Sequence, residues 1–79
     1  MNEFIEKCKK EVCKHINTPE QKIVVEDVFV VWSCKTLQNK KALLSTTLKG
    51  APYFECTYNG DKKEMYIDVY NKEKNYVVK

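Results

Sequence analysis

Apolar residues along this chain keep two different rhythms. From residue 3 to 17, Ile5, Cys8, Val12 and Ile16 recur three or four positions apart, with Phe4 and His15 on the flanks of the same stripe. Glu3, Lys7, Lys10, Glu11 and Lys14 fall mostly on the other side, so the spacing predicts an amphipathic helix over 3–17. Asn2 is the expected N-cap. Glu3 and Glu6 in the first turn, and Lys14 and His15 in the last, suit the helix dipole. Asn17 reads as a left-handed C-cap. Thr18-Pro19-Glu20-Gln21 then has the cap, Pro and Gln order of a capping box. The β-branched Ile23-Val24-Val25 cannot sustain a helix, so one turn is expected there, followed by a crossing into a sheet.

From Asp27 the period becomes two. Val28, Val30, Trp32 and Cys34 alternate in a first strand (28–37). Ala42, Leu44, Thr46 and Leu48 oppose Leu43, Ser45 and Thr47 in a second (41–48). Phe54, Cys56 and Tyr58 oppose Tyr53, Glu55 and Thr57 in a third (52–58). In a fourth (63–70), Met65, Ile67 and Val69 oppose Glu64, Tyr66, Asp68 and Tyr70. The predicted fold is α+β: one N-terminal helix packed on a four-stranded antiparallel β-meander, in a single domain over 1–79 with a sheet over 27–70 and a tail over 71–79. Only the helix is available to cover an apolar sheet face. Trp32, Cys34, Leu44, Phe54 and Ile67 are therefore expected beneath Ile5, Cys8 and Val12. An exposed Trp32 that anchors a partner is the alternative.

Residues paired across a hairpin share a face, so loop lengths can be tested against the apolar sets. Strands three and four have even and odd sets, which calls for an even-length turn. Gly60-Asp61 as its centre places Glu55 opposite Tyr66, whereas Asn59-Gly60 would oppose Glu55 and Glu64, two like charges. Strands one and two both use even sets and call for an odd loop, such as Asn39-Lys40-Lys41. Tyr76-Val77-Val78 in the tail reads either as a short edge strand or as coil.

Charge changes this picture little. Fourteen basic residues, all Lys, face eleven acids, for a net charge of +3. Without Arg, the chain lacks the fork that reads guanine edges, which argues against sequence-specific duplex recognition. The positive balance argues equally against mimicry of a phosphate surface. No apolar run has the ~20 residues that span a bilayer, and Met1-Asn2-Glu3-Phe4-Ile5-Glu6 does not resemble a secretory leader, so a cytoplasmic protein is expected.

Candidate chemistry is sparse. Cys8, Cys13, Cys34 and Cys56 form no CxxC pair, and reduced thiols without metal are expected. Cys8 and Cys13 do not share a helix face. The single His15 has no nucleophile that the sequence ties to it. Glu55, Glu64 and Asp68 share a face, but a flat solvated sheet does not separate carboxylate pKa values as an acid–base pair requires. Phosphate-binding and dinucleotide motifs are missing from the sequence. Lys9-Lys10, Lys40-Lys41 and Lys62-Lys63 are scattered pairs that a solvated surface explains. No catalytic residue, cofactor or metal ligand is expected, and the chain is not expected to be an enzyme.

The stretch Val30-Val31-Trp32-Ser33-Cys34-Lys35-Thr36-Leu37-Gln38-Asn39, continued by Lys41-Ala42-Leu43-Leu44-Ser45-Thr46-Thr47, resembles short uncharacterised proteins encoded by phages and prophages of Gram-positive bacteria. Tyr58-Asn59-Gly60-Asp61 and Tyr66-Ile67-Asp68 fit the same pattern, and the resemblance covers residues 27–70. It implies a phage accessory protein, made in a bacterial host, that binds a host or phage protein. The surface expected to carry this contact is the helix-free sheet face, with Lys35, Tyr53, Glu55, Thr57, Glu64, Tyr66, Asp68 and Tyr70. Tyrosines give such a face large contact area at low rotamer cost. An accessory nucleic-acid-binding domain, stacking single-stranded bases on the tyrosines, is the alternative; the three carboxylates oppose it.

Overall fold

The structure, a computed structural model, describes residues 1–71 and 76–78. It contains one α-helix, α1 (Asn2–Ile16), a short 3-10 turn (Val25–Asp27) and four strands. The strands are β1 (Val28–Thr36), β2 (Asn39–Thr46), β3 (Tyr53–Asn59) and β4 (Glu64–Tyr70). They form one antiparallel sheet in the order β1-β2-β3-β4, the predicted meander, with α1 on one face.

α1 begins one residue earlier than its apolar stripe suggests. Asn2 lies inside it; Met1 stands at the N-cap without a side-chain cap, and its carbonyl accepts the Ile5 N–H at 2.9 Å, the first hydrogen bond of the helix. At the other end Asn17 is extended (φ −64°, ψ 131°) rather than left-handed. Its amide side chain behaves like a peptide group: Oδ1 accepts from the Ile23 N–H at 2.7 Å, and Nδ2 donates to the Ile23 carbonyl at 3.3 Å. Asn17 thus ties the end of the helix to the chain that enters the sheet, a role for which it must leave the αL conformation.

The turn expected at 18–21 is a bend. Thr18 Oγ1 does accept the Gln21 N–H at 3.0 Å, as in a capping box, but the Thr18 N–H donates to the Gln21 carbonyl at 2.8 Å and closes the loop on itself. The single helical turn forms later, at Val25–Asp27, where the Asp27 carboxylate accepts the Val24 N–H at 3.0 Å.

The core is a continuous cluster in which Phe4, Cys8 and Val12 of α1 meet Val28, Ala42, Leu44, Phe54 and Cys56 of the sheet, with Cys13 and Ile23 closing one side. Leu44, Phe54, Cys8 and Val12 are fully buried as expected; Ile5 and Ile67 pack against the cluster half-buried. Buried together, Cys8 and Cys56 share a hydrogen bond that, with desolvation, holds the Cys56 thiol above its ordinary range. All four cysteines are free thiols.

Trp32 and Cys34 are not in this core; Trp32 is 43% exposed and Cys34 is exposed. The cause is a register shift in β1. Val28 and Val30 pair with Thr46 and Leu44 on the helix side, but Trp32 pairs with Leu43, leaving Val31 as the extra residue of a β-bulge. The turn explains why. Instead of an odd loop at 39–41, Leu37 and Gln38 form a two-residue turn, with Leu37 at φ 56° and Thr36 opposite Asn39. An even loop puts odd positions of β1 beside even positions of β2, whereas the far end pairs even with even. One surplus residue must be absorbed between them. Beyond Val31 the faces of β1 are therefore exchanged.

The β3–β4 hairpin also differs from either register weighed above. Asn59 pairs with Glu64, closing the four-residue turn Gly60-Asp61-Lys62-Lys63, in which Lys63 takes φ 56°. Asn59 Oδ1 accepts from the N–H groups of Asp61 at 3.0 Å and Lys62 at 3.3 Å, an Asx arrangement that widens the turn. The loop length stays even, so the faces follow the prediction although the partners slide by two. The two hairpin ends lie together: the Gly60 N–H donates to Asn39 Oδ1 at 3.1 Å, and a Cβ at Gly60 would overlap the Cβ and carbonyl of Gln38. In the tail, 76–78 is exposed coil, so no edge strand forms there; positions 72–75 and 79 lie outside the described residues.

Candidate functional site: the open sheet face

The sheet face away from α1 carries every second residue of β2, β3 and β4, and its composition follows from the pairing. One row across the strands reads Trp32, Leu43, Glu55, Asp68; the next reads Cys34, Lys41, Thr57, Tyr66. Phe29 opposite Ser45, and Tyr53 opposite Tyr70, extend the face toward the other end of the sheet. Among the described residues no helix or strand lies over it, and the molecule is only 18 Å across its thinnest direction, the depth of one helix layer on one sheet.

Seven of the eight residues expected at this surface are on it: Tyr53, Glu55, Thr57, Glu64, Tyr66, Asp68 and Tyr70. Lys35 is not. The bulge turns it to the helix side, where it pairs with Lys40. Cys34 takes the open-face place opposite Lys41, and the face also gains larger apolar groups of β1 that alternation had assigned to the core or left unassigned. Phe29 (46% exposed), Val31 (46%) and Trp32 (43%) join Tyr53 (41%), Tyr66 (44%) and Tyr70 (52%). A signal for this was present: Val28-Phe29-Val30-Val31-Trp32 is apolar at five successive positions, so both faces of β1 had to carry apolar groups.

The polar groups of the face are arranged around these rings. Lys41 Nζ lies 3.7 Å from Glu55, and the Tyr70 phenol reaches the same carboxylate at 3.5 Å, the outer limit of a hydrogen bond. Glu55 sits directly opposite Asp68, a like-charge pair that these two contacts moderate. The Tyr66 phenol donates to Glu64, which raises its pKa; for Tyr70 the charge on Glu55 has the same effect. This network places hydrogen-bonding edges on an aromatic floor.

A cleft of about 180 Å³ between the start of α1 and the sheet is lined by Glu3, Phe4, Lys7, Lys40, Tyr58 and Met65, with Lys40 Nζ 5.6 Å from the Tyr58 ring centroid. His15 is exposed, with its ring edge-on to Phe54 and the centroids 5.6 Å apart. No group of three or more His, Cys, Asp or Glu side chains is gathered as metal ligands would be, among the described residues. No helix among them is long and apolar enough to cross a membrane.

Fold and face together define a two-layer α+β protein with one covered and one open, aromatic sheet face. The chain belongs to DUF6275, a family of unknown function, whose pattern it matches over residues 5–79. No curated protein and no solved structure matches it.

Proposed function

We propose that this protein is a small interaction protein of the phage type, an adaptor or inhibitor that binds a host or phage macromolecule in the cytoplasm of a bacterial host through its open sheet face. The observation that carries the reading is the cluster of Phe29, Val31, Trp32, Tyr53, Tyr66 and Tyr70, each between 41% and 52% exposed on one helix-free face. Half-exposed aromatic side chains gathered on one sheet face among polar groups are the composition of a contact surface, and aromatic residues dominate the energetics of such contacts. The bulge at Val31 adds support, because bulges commonly re-aim a side chain at a working surface. The likeness of residues 27–70 to phage and prophage proteins supports a host or phage target.

A Tyr53→Ala plus Tyr66→Ala variant tests it. Both side chains are exposed, so the variant should fold with an unchanged circular dichroism spectrum and fail to capture the partners that the parent protein retains from host lysate. Capture of every one of those partners by the folded variant would rule the face out.

A further inference from the structure

We propose that the open face takes a basic polypeptide segment, one whose Arg or Lys side chains lie over the aromatic rings and pair with Glu64 and Asp68; this rests on the reading of the face as a contact surface. The chain as a whole is positive, with fourteen Lys against eleven acids, yet its charges are segregated. The paired positions of the open face hold Glu55, Glu64 and Asp68 against the single Lys41. Lys35 and Lys40 are turned to the opposite side. Lys41 is engaged with Glu55, and no ion pair reaches Glu64 or Asp68 among the described residues.

This distribution discriminates between occupants. A phosphate backbone would meet an acidic surface, so single-stranded nucleic acid is repelled although the rings could stack its bases. A second copy docked face to face would bring together two faces that each carry three carboxylates against one lysine. A cationic segment satisfies both halves of the surface. Its guanidinium or ammonium groups gain from the ring faces of Tyr66 and Tyr70 on the same strand as Glu64 and Asp68, from Tyr53 one strand away, and from Trp32 at the far side of the sheet.

The test uses the full chain to select binders from a random peptide library. Trp32 is the only tryptophan and Cys34 the only exposed thiol, so both report occupancy of this face directly. Selected peptides should be enriched in Arg and Lys, change Trp32 fluorescence, protect Cys34 from alkylation and weaken as salt rises. A Glu64→Gln plus Asp68→Asn variant that keeps its fold should bind them roughly tenfold less tightly. Enrichment of neutral or acidic peptides overturns the proposal, as does a single-stranded oligonucleotide or self-association that alone perturbs Trp32; in those cases the face remains the contact surface. Basic peptides whose binding leaves Trp32 and Cys34 unaffected and is unchanged by the Glu64→Gln plus Asp68→Asn variant would overturn both this inference and the reading beneath it. Recovery of no binder overturns the inference and leaves the Tyr53/Tyr66 variant to judge the face.

Discussion

The two faces of this sheet are both rich in large apolar side chains, and they differ in what happens to them. On the helix side, Ala42, Leu44, Phe54 and Cys56 are fully buried beneath Cys8 and Val12. On the other side, Phe29, Trp32, Tyr53, Tyr66 and Tyr70 are about half exposed, with no helix or strand above them among the described residues. A fold that needed only stability would place its one tryptophan under the helix. Here the bulge at Val31 moves Trp32 to the side away from α1, and Ser33 takes the place beside Ala42.

The largest contrast between the faces should appear in thiol reactivity. Cys34 lies on the open face, whereas Cys8, Cys13 and Cys56 are buried. Under native conditions one thiol per chain should react promptly with an alkylating reagent. Reaction of the other three is limited by opening of the fold and should be slower by roughly 10³-fold or more. Mass spectrometry that located the first adduct at Cys56 would reverse the assignment of faces.

Stability should separate the faces next. Phe54→Ala empties a fully buried aromatic site and should cost about 3–5 kcal/mol, enough to unfold a domain of this size. Trp32→Ala removes the larger side chain yet should cost only about 1–2 kcal/mol, because much of the ring is already in water. Urea denaturation of both variants measures this, and equal losses would mean that Trp32 is as much a core residue as Phe54. A smaller loss, about 1–3 kcal/mol, is expected for Gly60→Ala, since the added methyl must displace Gln38 where the two hairpin ends touch. An unchanged denaturation midpoint would show that the hairpin ends are not in contact.

The smallest effect is in titration. Glu64 and Glu55 raise the phenol pKa values of Tyr66 and Tyr70. Their folded values thus exceed the unfolded value of about 10, so the associated stabilisation is present below that pH and fades as pH rises through the folded values. Both phenols are open to solvent, which keeps the contribution small. Phenolate absorbance should show Glu64→Gln bringing the ionisation of Tyr66 to lower pH; an unmoved curve would remove the Tyr66–Glu64 hydrogen bond from the account.

How much of this was legible in the sequence differs between strands. In β3 and β4, polar residues alternate cleanly with apolar ones, so Tyr53, Glu55, Thr57, Glu64, Tyr66, Asp68 and Tyr70 could be placed on one face even though their cross-strand partners were off by two. Register there depends on how Asn59 folds its side chain over the turn, which alternation does not encode. In β1 the apolar run 28–32 leaves no polar position to mark the outer face, and a single surplus residue exchanges the faces without altering the strand's length or composition. Trp32 and Cys34 were misplaced for that reason, and Lys35 with them. The helix was plain from its stripe. Its ends were not, because Asn17 serves a tertiary contact with Ile23 rather than its local preference.

The central claim is that the bulge at Val31 turns Trp32 onto the uncovered face. Collisional quenching of its fluorescence in the native protein is the most direct measurement, because no other tryptophan contributes. Neutral acrylamide should quench the native emission readily, with a rate constant not far below that of the urea-unfolded chain. Emission shielded from acrylamide until the protein unfolds would return Trp32 to the core and contradict the account.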